Sequence, residues 1–373
     1  MTDVAAVPND RQRHTERITR SLARAVVKRW PAGSRLFLVG EQVNWVIDEE
    51  LRAVKRVAHE LGVRVATRRL LTSAREQAAF FGSHFTLLQE PWEPPAHRLG
   101  TTYFHGRPGT PGMPEFDVPY RVLCAHHERL DRVQVSHSEM ERIVLESGIA
   151  PEKVHRIPIG IESSYFRPAT RDVRITARER LGLPESAFVV GSFQKDGIGW
   201  DDGFDPKLVK GPDVLVDALA RAREAVPELY VLLSGPARGY VRTRLERAGI
   251  PYTHRVFDRY EDVVGLYAAL DAYLVSSRQE GGPKAVLESM ASGIPLVTTR
   301  VGQAMDLVEH GRNAFMVEPE DAVGLADWIG HVYEAGSAVN PVVAAGLETA
   351  AKHSYDAQVP LWRALLKDFV EFS

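Results

Sequence analysis

Two glutamates in one short segment are the strongest chemical signal in the chain. Glu280 and Glu288 lie eight residues apart in EGGPKAVLE. Gly281 and Gly282 allow a tight turn and the close approach of a ligand, and Pro283 suits the first position of a helix. The N–H groups of that first helical turn favour a diphosphate. Because Glu288 lies about one and a half turns further on, it can accept hydrogen bonds from a diol such as a ribose.

Such a segment needs a scaffold, and the rest of the chain predicts one. From residue 35 onward, short apolar runs alternate with amphipathic stretches of helical length. This pattern is typical of parallel sheets with helices on both faces, which bind ligands at the carboxyl ends of their strands. FTLLQ at 85–89 and TTYFH at 101–105 are among the predicted strands. The pattern occurs in both halves, so we predict an α/β protein with two Rossmann-like domains.

The predicted domain boundaries follow from breaks in this alternation. Residues 162–185 carry prolines and charges without a clear period, so we predict the linker there. This gives an N-terminal domain over residues 1–170 and a C-terminal domain over 171–345. The last segment, about 346–373, ends in a helix with an apolar face and is expected to pack back on the first domain.

Composition narrows the class of protein. The 373 residues include 46 Lys+Arg and 49 Asp+Glu, and the net charge of −3 does not favour nucleic acid binding. No apolar run reaches the roughly 18 residues of a membrane span, and the polar N-terminus lacks a secretion signal. The single cysteine, Cys124, fits a reducing compartment. We therefore expect a cytoplasmic protein.

The basic stretch at residues 11–30 allows two interpretations. Its apolar residues fall at helical spacing among seven Lys and Arg residues. It can be a first helix that packs its apolar face on the sheet, which is the interpretation we prefer. It can also lie peripherally on the inner face of an anionic membrane, as basic amphipathic helices do.

The segment EGGPKAVLE followed by MASGIPLVTTRVGQ resembles the retaining glycosyltransferases of family 4. The resemblance covers residues 187–320 most strongly and weakens in the first half, apart from residues 133–168. It implies the GT-B fold, in which two Rossmann-like domains face each other across a cleft that holds the active site. It also implies a nucleotide-sugar donor.

The resemblance assigns roles to the residues of the motif. Glu288 matches the glutamate that holds the donor's ribose, and Glu280 matches the one that contacts the transferred sugar. Four residues between them would lie beside the donor's phosphates or sugar hydroxyls: Gly281, Gly282, Pro283 and Lys284.

Two lysines are expected to bind the donor's diphosphate. Lys210 matches the family's lysine well. The family's second basic residue is usually an arginine soon after the strand, and Gln194–Lys195 stands there instead. We assign the role to Lys195, with a plain exposed loop lysine as the alternative.

An extra loop over residues 196–208 follows Lys195. Asp201, Asp202 and Asp205 in this loop look like a metal cluster, but we interpret them as a solvated loop because the lysines already compensate the charge.

In the first half, the resemblance calls for a histidine on a loop after a strand, near the transferred sugar. His105 in TTYFHGRPGTPG is our choice, with a purely structural histidine as the alternative. Four other histidines are rivals: His84, His126, His127 and His137. The turn after the first strand has only one glycine, Gly40. We expect Gly40 to line the cleft, and we expect this turn to contribute less to binding the donor's phosphates.

These features together predict an enzyme that transfers a sugar from a nucleotide-diphosphate sugar, UDP- or GDP-linked, to a hydroxyl on a glycan, lipid or small molecule. Retention of configuration follows from the resemblance, and no metal or other cofactor is expected. His105 and Glu280 would orient the sugar, while Lys195 and Lys210 would stabilise the leaving group. The alternatives are a sugar-nucleotide epimerase on the same fold and a non-catalytic nucleotide-sugar binding protein.

Overall fold

The computed structural model describes residues 35–40, 46–66, 77–94, 96–257 and 259–370. They form two compact units. The first runs to Ile157 and includes the segment from Val359 onward, and the second runs from Pro158 to Gln358. The basic stretch 11–30 lies outside the described residues. No helix among the described residues has the length and apolar character needed to cross a bilayer.

The first unit is built on a six-stranded sheet in which neighbouring strands are parallel. Its strands are β1 (Leu36–Val39), β2 (Val65–Ala66), β3 (Ala78–Phe81), β4 (Arg98–Thr102), β5 (Arg132–Val135) and β6 (Val154–Arg156). Their order is β2-β1-β3-β4-β5-β6. The accompanying helices are α1 (Val46–Glu60), α2 (His84–Leu87), α3 (Asp117–His126) and α4 (Ser138–Glu146). Two clusters of buried apolar side chains form its core.

One predicted strand of the first unit is wrong. FTLLQ at 85–89 falls largely in the short helix α2, and the strand is the preceding β3, AAFF, whose four residues are all buried. Both segments are short apolar runs, which periodicity alone does not separate into helix and strand. Strand β4 ends at Thr102, so His105 lies in the loop that follows it.

The second unit is built on another six-stranded parallel sheet. Its strands are β7 (Phe188–Phe193), β8 (Leu229–Ser234), β9 (Tyr252–Arg255), β10 (Ala272–Val275), β11 (Leu296–Thr299) and β12 (Phe315–Val317). Its helices are α5 (Arg171–Leu181), α6 (Pro212–Ala222), α7 (Gly239–Arg247), α8 (Val264–Tyr267), α9 (Lys284–Ala291), α10 (Ala304–Leu307), α11 (Ala322–Ala335) and α12 (Asn340–Lys352). The order β12-β11-β10-β7-β8-β9 places β7 and β10 side by side at the centre. The chain runs outward from these two strands in opposite directions, as in dinucleotide-binding sheets.

Helix α5 lies within the stretch 162–185, which we predicted as an aperiodic linker. None of its residues is buried, so no apolar period marks it in the sequence. It ends at Gly182 in the left-handed conformation, with φ 68°. Arg174 and Arg178 both pair with Asp271, at 2.6 and 3.2 Å. These ion pairs hold helix α5 against the rest of the second unit.

The chain passes into the second unit at residue 158, whereas the sequence suggested a boundary at 170. It returns to the first unit at Val359, where helix α13 (Val359–Leu366) begins. Four apolar side chains of this last segment lie in one core with β1 and β3: Trp362, Leu365, Leu366 and Phe369. Their burial accounts for the return of the chain, because large apolar side chains are stabilised by removal from water.

Candidate functional site

The loops after β7 and β10 meet at the centre of the second sheet. Arg278 N and Gln279 N both donate to Val209 O, at 2.9 and 3.1 Å. Gly211 has φ 59°, and a Cβ there would lie 1.9 Å from Ser276 O, so only glycine allows this approach. Central strands whose connections run in opposite directions leave a crevice at their carboxyl ends, which is the usual ligand position in such sheets.

This meeting point brings together two of the predicted residues, Lys210 and Glu280. Lys210 Nζ lies 2.6 Å from Glu280 Oε2, and Ser277 Oγ donates to Oε1 at 2.8 Å. The Lys210 side chain is 27% exposed and that of Glu280 10%. Because an ammonium has three donors, Lys210 keeps the capacity to bind an anion beside its contact with Glu280.

The turn between Glu280 and α9 is as tight as its glycines imply. A Cβ on Gly282 would lie 2.8 Å from Ile159 Cδ1, and a Cβ on Gly302 would lie 2.8 Å from Gly281 O. A side chain at Gly282 would therefore displace the ends of the Ile159 and Gln303 side chains. Pro283, with ψ 107°, is the residue before α9 and so caps the helix instead of beginning it.

Glu288 lies on α9 with only 5% of its surface exposed. Its Oε2 accepts a hydrogen bond from Tyr267 Oη at 2.7 Å, and its Oε1 accepts one from Tyr260 Oη. Burial raises the pKa of the Glu288 carboxyl, while Lys284 and the two phenols oppose that shift. The predicted diol-binding carboxylate is therefore present but covered. The two tyrosines were not found from the sequence, since no local spacing links them to Glu288.

Lys284 is buried in the same cluster. Its Nζ donates to Tyr355 Oη at 3.1 Å and lies 4.8 Å from the centre of the Tyr260 ring. The sequence suggested that the backbone of this residue faces a ligand. The structure adds a buried positive side chain one helical turn from Glu288, a position from which its charge stabilises the carboxylate.

Lys195 follows β7, and its Nζ lies 4.7 Å from the centre of the Trp200 ring. The loop 196–208 that comes next is held at its base by a buried ion pair, with Asp196 Oδ1 3.0 Å from Arg238 Nε. Arg238 also donates to three backbone carbonyl groups at the ends of β7 and β8. Sequence reasoning missed Arg238, because nothing in its local pattern distinguishes it from the other arginines nearby.

Asp201, Asp202 and Asp205 of this loop have exposed side chains. The carbonyl groups of Asp202 and Gly203 accept hydrogen bonds from the first two N–H groups of α7, at 2.6 and 2.9 Å. The loop therefore caps a helix through its backbone. Within the described residues, no group of three or more His, Cys, Asp or Glu side chains is arranged to hold a metal ion.

In the first unit, His105 lies at the carboxyl edge of the sheet, after β4. Its ring centre lies 5.8 Å from that of His84 and 5.3 Å from that of Phe85. His84 is buried and stacks on Tyr103 with ring centres 4.1 Å apart. Burial, with a contribution from His105, holds the pKa of His84 well below its ordinary value. The structure thus groups two of the five candidate histidines.

The other candidate residues of the first unit, three histidines and Gly40, have different surroundings. His126 is exposed and packs on Trp92, with ring centres 4.6 Å apart. His127 is half-buried beside Gly148. His137 is buried, and its Nδ1 lies 2.9 Å from Ser136 Oγ. Gly40 is half-buried at the end of β1, and residues 41–45 after it lie outside the described part of the chain.

Comparisons with known proteins agree with this geometry. Residues 203–335 match the family described as glycosyl transferases group 1. The chain is 27% identical over 293 residues to a D-inositol 3-phosphate glycosyltransferase of Catenulispora acidiphila, covering 74% of this chain and 66% of that protein. It is 25% identical over 186 residues to a mannosylfructose-phosphate synthase of Agrobacterium fabrum, covering 49% of this chain and 40% of that protein. The matched stretch therefore spans between two fifths and two thirds of these relatives.

Solved structures of the same fold extend the comparison to most of the chain. Anabaena HepE in complex with UDP-glucose superposes with a TM-score of 0.70 at 17% identity, covering 89% of this chain and 99% of that one. Sucrose-phosphate synthase from Thermosynechococcus elongatus has a TM-score of 0.69 at 16% identity, covering 90% and 98%. The fold prediction is confirmed: the chain is an α/β protein of the GT-B type. The resemblance is confirmed as well, since the second unit carries a group 1 glycosyltransferase domain.

Proposed function

We propose that the chain is a glycosyltransferase that moves a sugar from a nucleoside-diphosphate sugar to a hydroxyl acceptor, with retention of configuration and without a metal ion or other cofactor. The observation that carries this proposal is the Lys210–Glu280 pair at the centre of the second sheet, within the group 1 domain. Lys210 supplies positive charge where a departing diphosphate gains negative charge. Glu280 offers carboxylate oxygens to the hydroxyls of the sugar.

The remaining donor contacts come from the same edge of the sheet. Glu288 takes the ribose diol, and the turn from Gly281 to Lys284 presents backbone N–H groups to the phosphates or the sugar. Lys195 adds a second positive charge. Each charged hydrogen bond contributes about 1.5–3 kcal/mol, and every 1.36 kcal/mol that is specific to the transition state changes the rate about tenfold. A few such bonds are enough to stabilise the leaving group without a metal.

The first unit supplies the acceptor side in this proposal. His105 orients the transferred sugar, and Gly40 lines the same edge. The proposed mechanism is a front-face displacement, in which the leaving phosphate assists the incoming hydroxyl and no carboxylate of the first unit acts as a nucleophile. Retention is supported by the resemblance to family 4 enzymes.

The comparisons support a choice of substrates. HepE was crystallised with UDP-glucose, which favours a UDP-sugar donor, with GDP-sugars as the second choice. Relatives named for D-inositol 3-phosphate and mannosylfructose phosphate favour a small phosphorylated polyol or sugar as acceptor over a glycan or lipid. We propose a cytoplasmic enzyme, with peripheral membrane contact, where it occurs, through residues 11–30.

A donor panel tests the proposal. The full chain is incubated with UDP-, GDP-, ADP- and TDP-sugars, each with inositol phosphate or fructose phosphate, and both thermal stability and product are measured. A donor at 100 times its dissociation constant should add about 2.7 kcal/mol of stability. Glu288→Ala and Lys210→Ala should abolish that gain.

The products separate the alternatives. Release of nucleoside diphosphate with formation of a glycoside supports the proposal. Isomerised donor would show an epimerase, and donor binding without any product would show a binding protein. Either of these results contradicts the transferase.

A further inference from the structure

Both oxygens of the Glu288 carboxylate already accept a hydrogen bond within the protein. Tyr260 Oη donates to Oε1, and Tyr267 Oη donates to Oε2 at 2.7 Å. Although a carboxylate can accept about four hydrogen bonds, Glu288 is only 5% exposed. A ribose can therefore reach it only after one of the two phenols has moved away.

The two tyrosines differ in how firmly they are held. Tyr267 is 1% exposed and ends α8 within the core of the second unit. Its ring stacks on Tyr273 with centres 5.4 Å apart and meets Phe193 edge-on at 5.1 Å. Withdrawing it would open a cavity in a close-packed core, which costs several kcal/mol for a large aromatic side chain.

Tyr260 is held much less firmly. It is half-buried and begins the short 3₁₀ turn Tyr260–Val263 at the edge of the core. Its ring lies 6.1 Å from that of Phe166 and 4.8 Å from Lys284 Nζ. Rotation of this side chain exposes Oε1 of Glu288 and leaves the core intact. Of the two phenols, Tyr260 is the one that can give way.

Once Tyr260 has moved away, the charge of Lys284 stabilises the ionised carboxylate of Glu288, which can then bind a diol. Its buried Nζ lies one helical turn from Glu288 on α9 and is anchored to Tyr355 Oη. The charge of Lys284 favours the ionised carboxyl of Glu288 against the effect of burial on its pKa. An ionised carboxylate that has lost one donor is a strong acceptor for hydroxyl groups.

We propose that Tyr260 is a positioning residue that occupies the diol-binding side of Glu288 in the ligand-free chain, and that the ribose of a nucleoside diphosphate displaces its hydroxyl from Oε1. This inference rests on the proposed function, because it takes Glu288 as the ribose site. It adds a residue that tunes donor affinity, since a ribose hydroxyl replaces the hydrogen bond that Tyr260 gives up.

Matched phenylalanine variants test it. The dissociation constant of UDP is measured by calorimetry on the full wild-type chain, Tyr260→Phe and Tyr267→Phe, with GDP and ADP as further probes. Tyr260→Phe should bind UDP about three- to tenfold more tightly, because the competing hydrogen bond is removed. Tyr267→Phe should bind UDP no more tightly than wild type, since its donor is not displaced. A Tyr260→Phe chain that binds UDP with unchanged or weaker affinity overturns the proposal.

Two controls distinguish displacement from a general structural effect. The gain in Tyr260→Phe should be absent with 2′,3′-dideoxy-UDP, which has no ribose hydroxyl to donate, and absent in the Glu288→Ala background, which has no carboxylate to accept. A gain that persists in Glu288→Ala shows that Tyr260 acts elsewhere and contradicts the proposal.

The proposed function fails separately. If neither the wild-type chain nor either phenylalanine variant binds UDP, GDP or ADP, the donor site itself is refuted, and the role of Tyr260 with it. If the wild type binds and Tyr260→Phe shows no gain, only the role of Tyr260 is refuted.

Discussion

The polar side chains at the carboxyl edges of the two sheets differ in how they are paired. In the second unit, acidic groups are matched inside the protein: Glu280 with Lys210 and Ser277, and Glu288 with Tyr260 and Tyr267. A site of this kind already holds the positive charge that an incoming diphosphate needs. In the proposed function, the donor's groups would take the place of these internal partners.

The edge of the first unit combines an ion pair between Arg107 and Glu139 with a buried histidine, His84. Burial holds the pKa of His84 well below its ordinary value, and its ring lies against those of Phe85 and Tyr103. In the part of the chain that the structure describes, Ser83 Oγ and His84 Nε2 are buried without a hydrogen-bond partner. Unsatisfied buried groups cost about 1–3 kcal/mol, a cost that a hydroxyl-bearing ligand can remove. The matched acidic groups of the second edge favour a charged donor, and the unsatisfied atoms of Ser83 and His84 favour a hydroxyl-bearing ligand at the first.

The largest effect is expected from a substitution at Gly211, where two loops of the second unit meet. In Gly211→Ala, the added Cβ meets Ser276 O at 1.9 Å, so the loops after β7 and β10 must separate and Lys210 must shift. We expect a loss of more than about 3 kcal/mol of unfolding free energy and no measurable transfer. Chemical denaturation and a donor assay measure both.

Gly109→Ala in the first unit is the matched control. Gly109 has a similar φ of +74°, but nothing lies within 4 Å of the added Cβ. Only the left-handed backbone is then strained, at about 1–2 kcal/mol. Equal losses in the two variants would show that the contact between the loops is not tight.

The next effect concerns charge. Lys210→Ala leaves Glu280 without its ion-pair partner and removes a donor to the diphosphate. We expect kcat/KM to fall about 10- to 150-fold, the equivalent of a charged hydrogen bond of 1.5–3 kcal/mol. Lys195→Ala is the comparison, because Lys195 lies over Trp200 and not beside Glu280. A larger loss in Lys195→Ala would reverse the assignment of the two lysines.

A smaller effect is expected from a substitution at His84 in the first unit. His84→Phe removes the acceptor Nε2 while keeping an aromatic ring on Tyr103. The KM for the hydroxyl acceptor should rise about two- to tenfold, as expected for one neutral hydrogen bond, with no change in UDP affinity. His126→Phe, at an exposed position of α3, should change neither. A change in UDP affinity in His84→Phe would contradict the division of roles.

The smallest effect is a dependence of stability on pH. Because the pKa of His84 in the folded chain lies below its ordinary value of 6.5, the unfolded chain binds the proton first as the pH falls. Stability is therefore complete above about pH 6.5 and is lost below it, by at most about 1.36 kcal/mol per pH unit for one group. Melting curves between pH 7.5 and 5.5 should show a shallower loss in His84→Phe than in wild type. Identical slopes would mean that the pKa of His84 is the same in the folded and the unfolded chain.

Much of the fold could be predicted because it follows from local patterns of apolar and polar residues. The alternation of apolar runs and amphipathic stretches predicted two parallel α/β sheets, and the structure has two of six strands each. The errors lie where no local period exists. Helix α5 buries none of its residues, and the run at 85–89 is too short for periodicity to separate helix from strand.

The candidate site divides along the same line. Glu280, the glycine turn and Glu288 lie within one strand–loop–helix segment, so their spacing along the chain determines their spacing in space. The sequence by itself therefore determined the fold class, the position of the motif and the chemistry that the motif suits. The tertiary structure alone decided which side chains meet there, such as Lys210 with Glu280 across 70 residues and Tyr260 with Glu288 across 28. The physical reason is that such contacts depend on strand order and register, which arise from packing over the whole unit and leave no periodic mark on either segment.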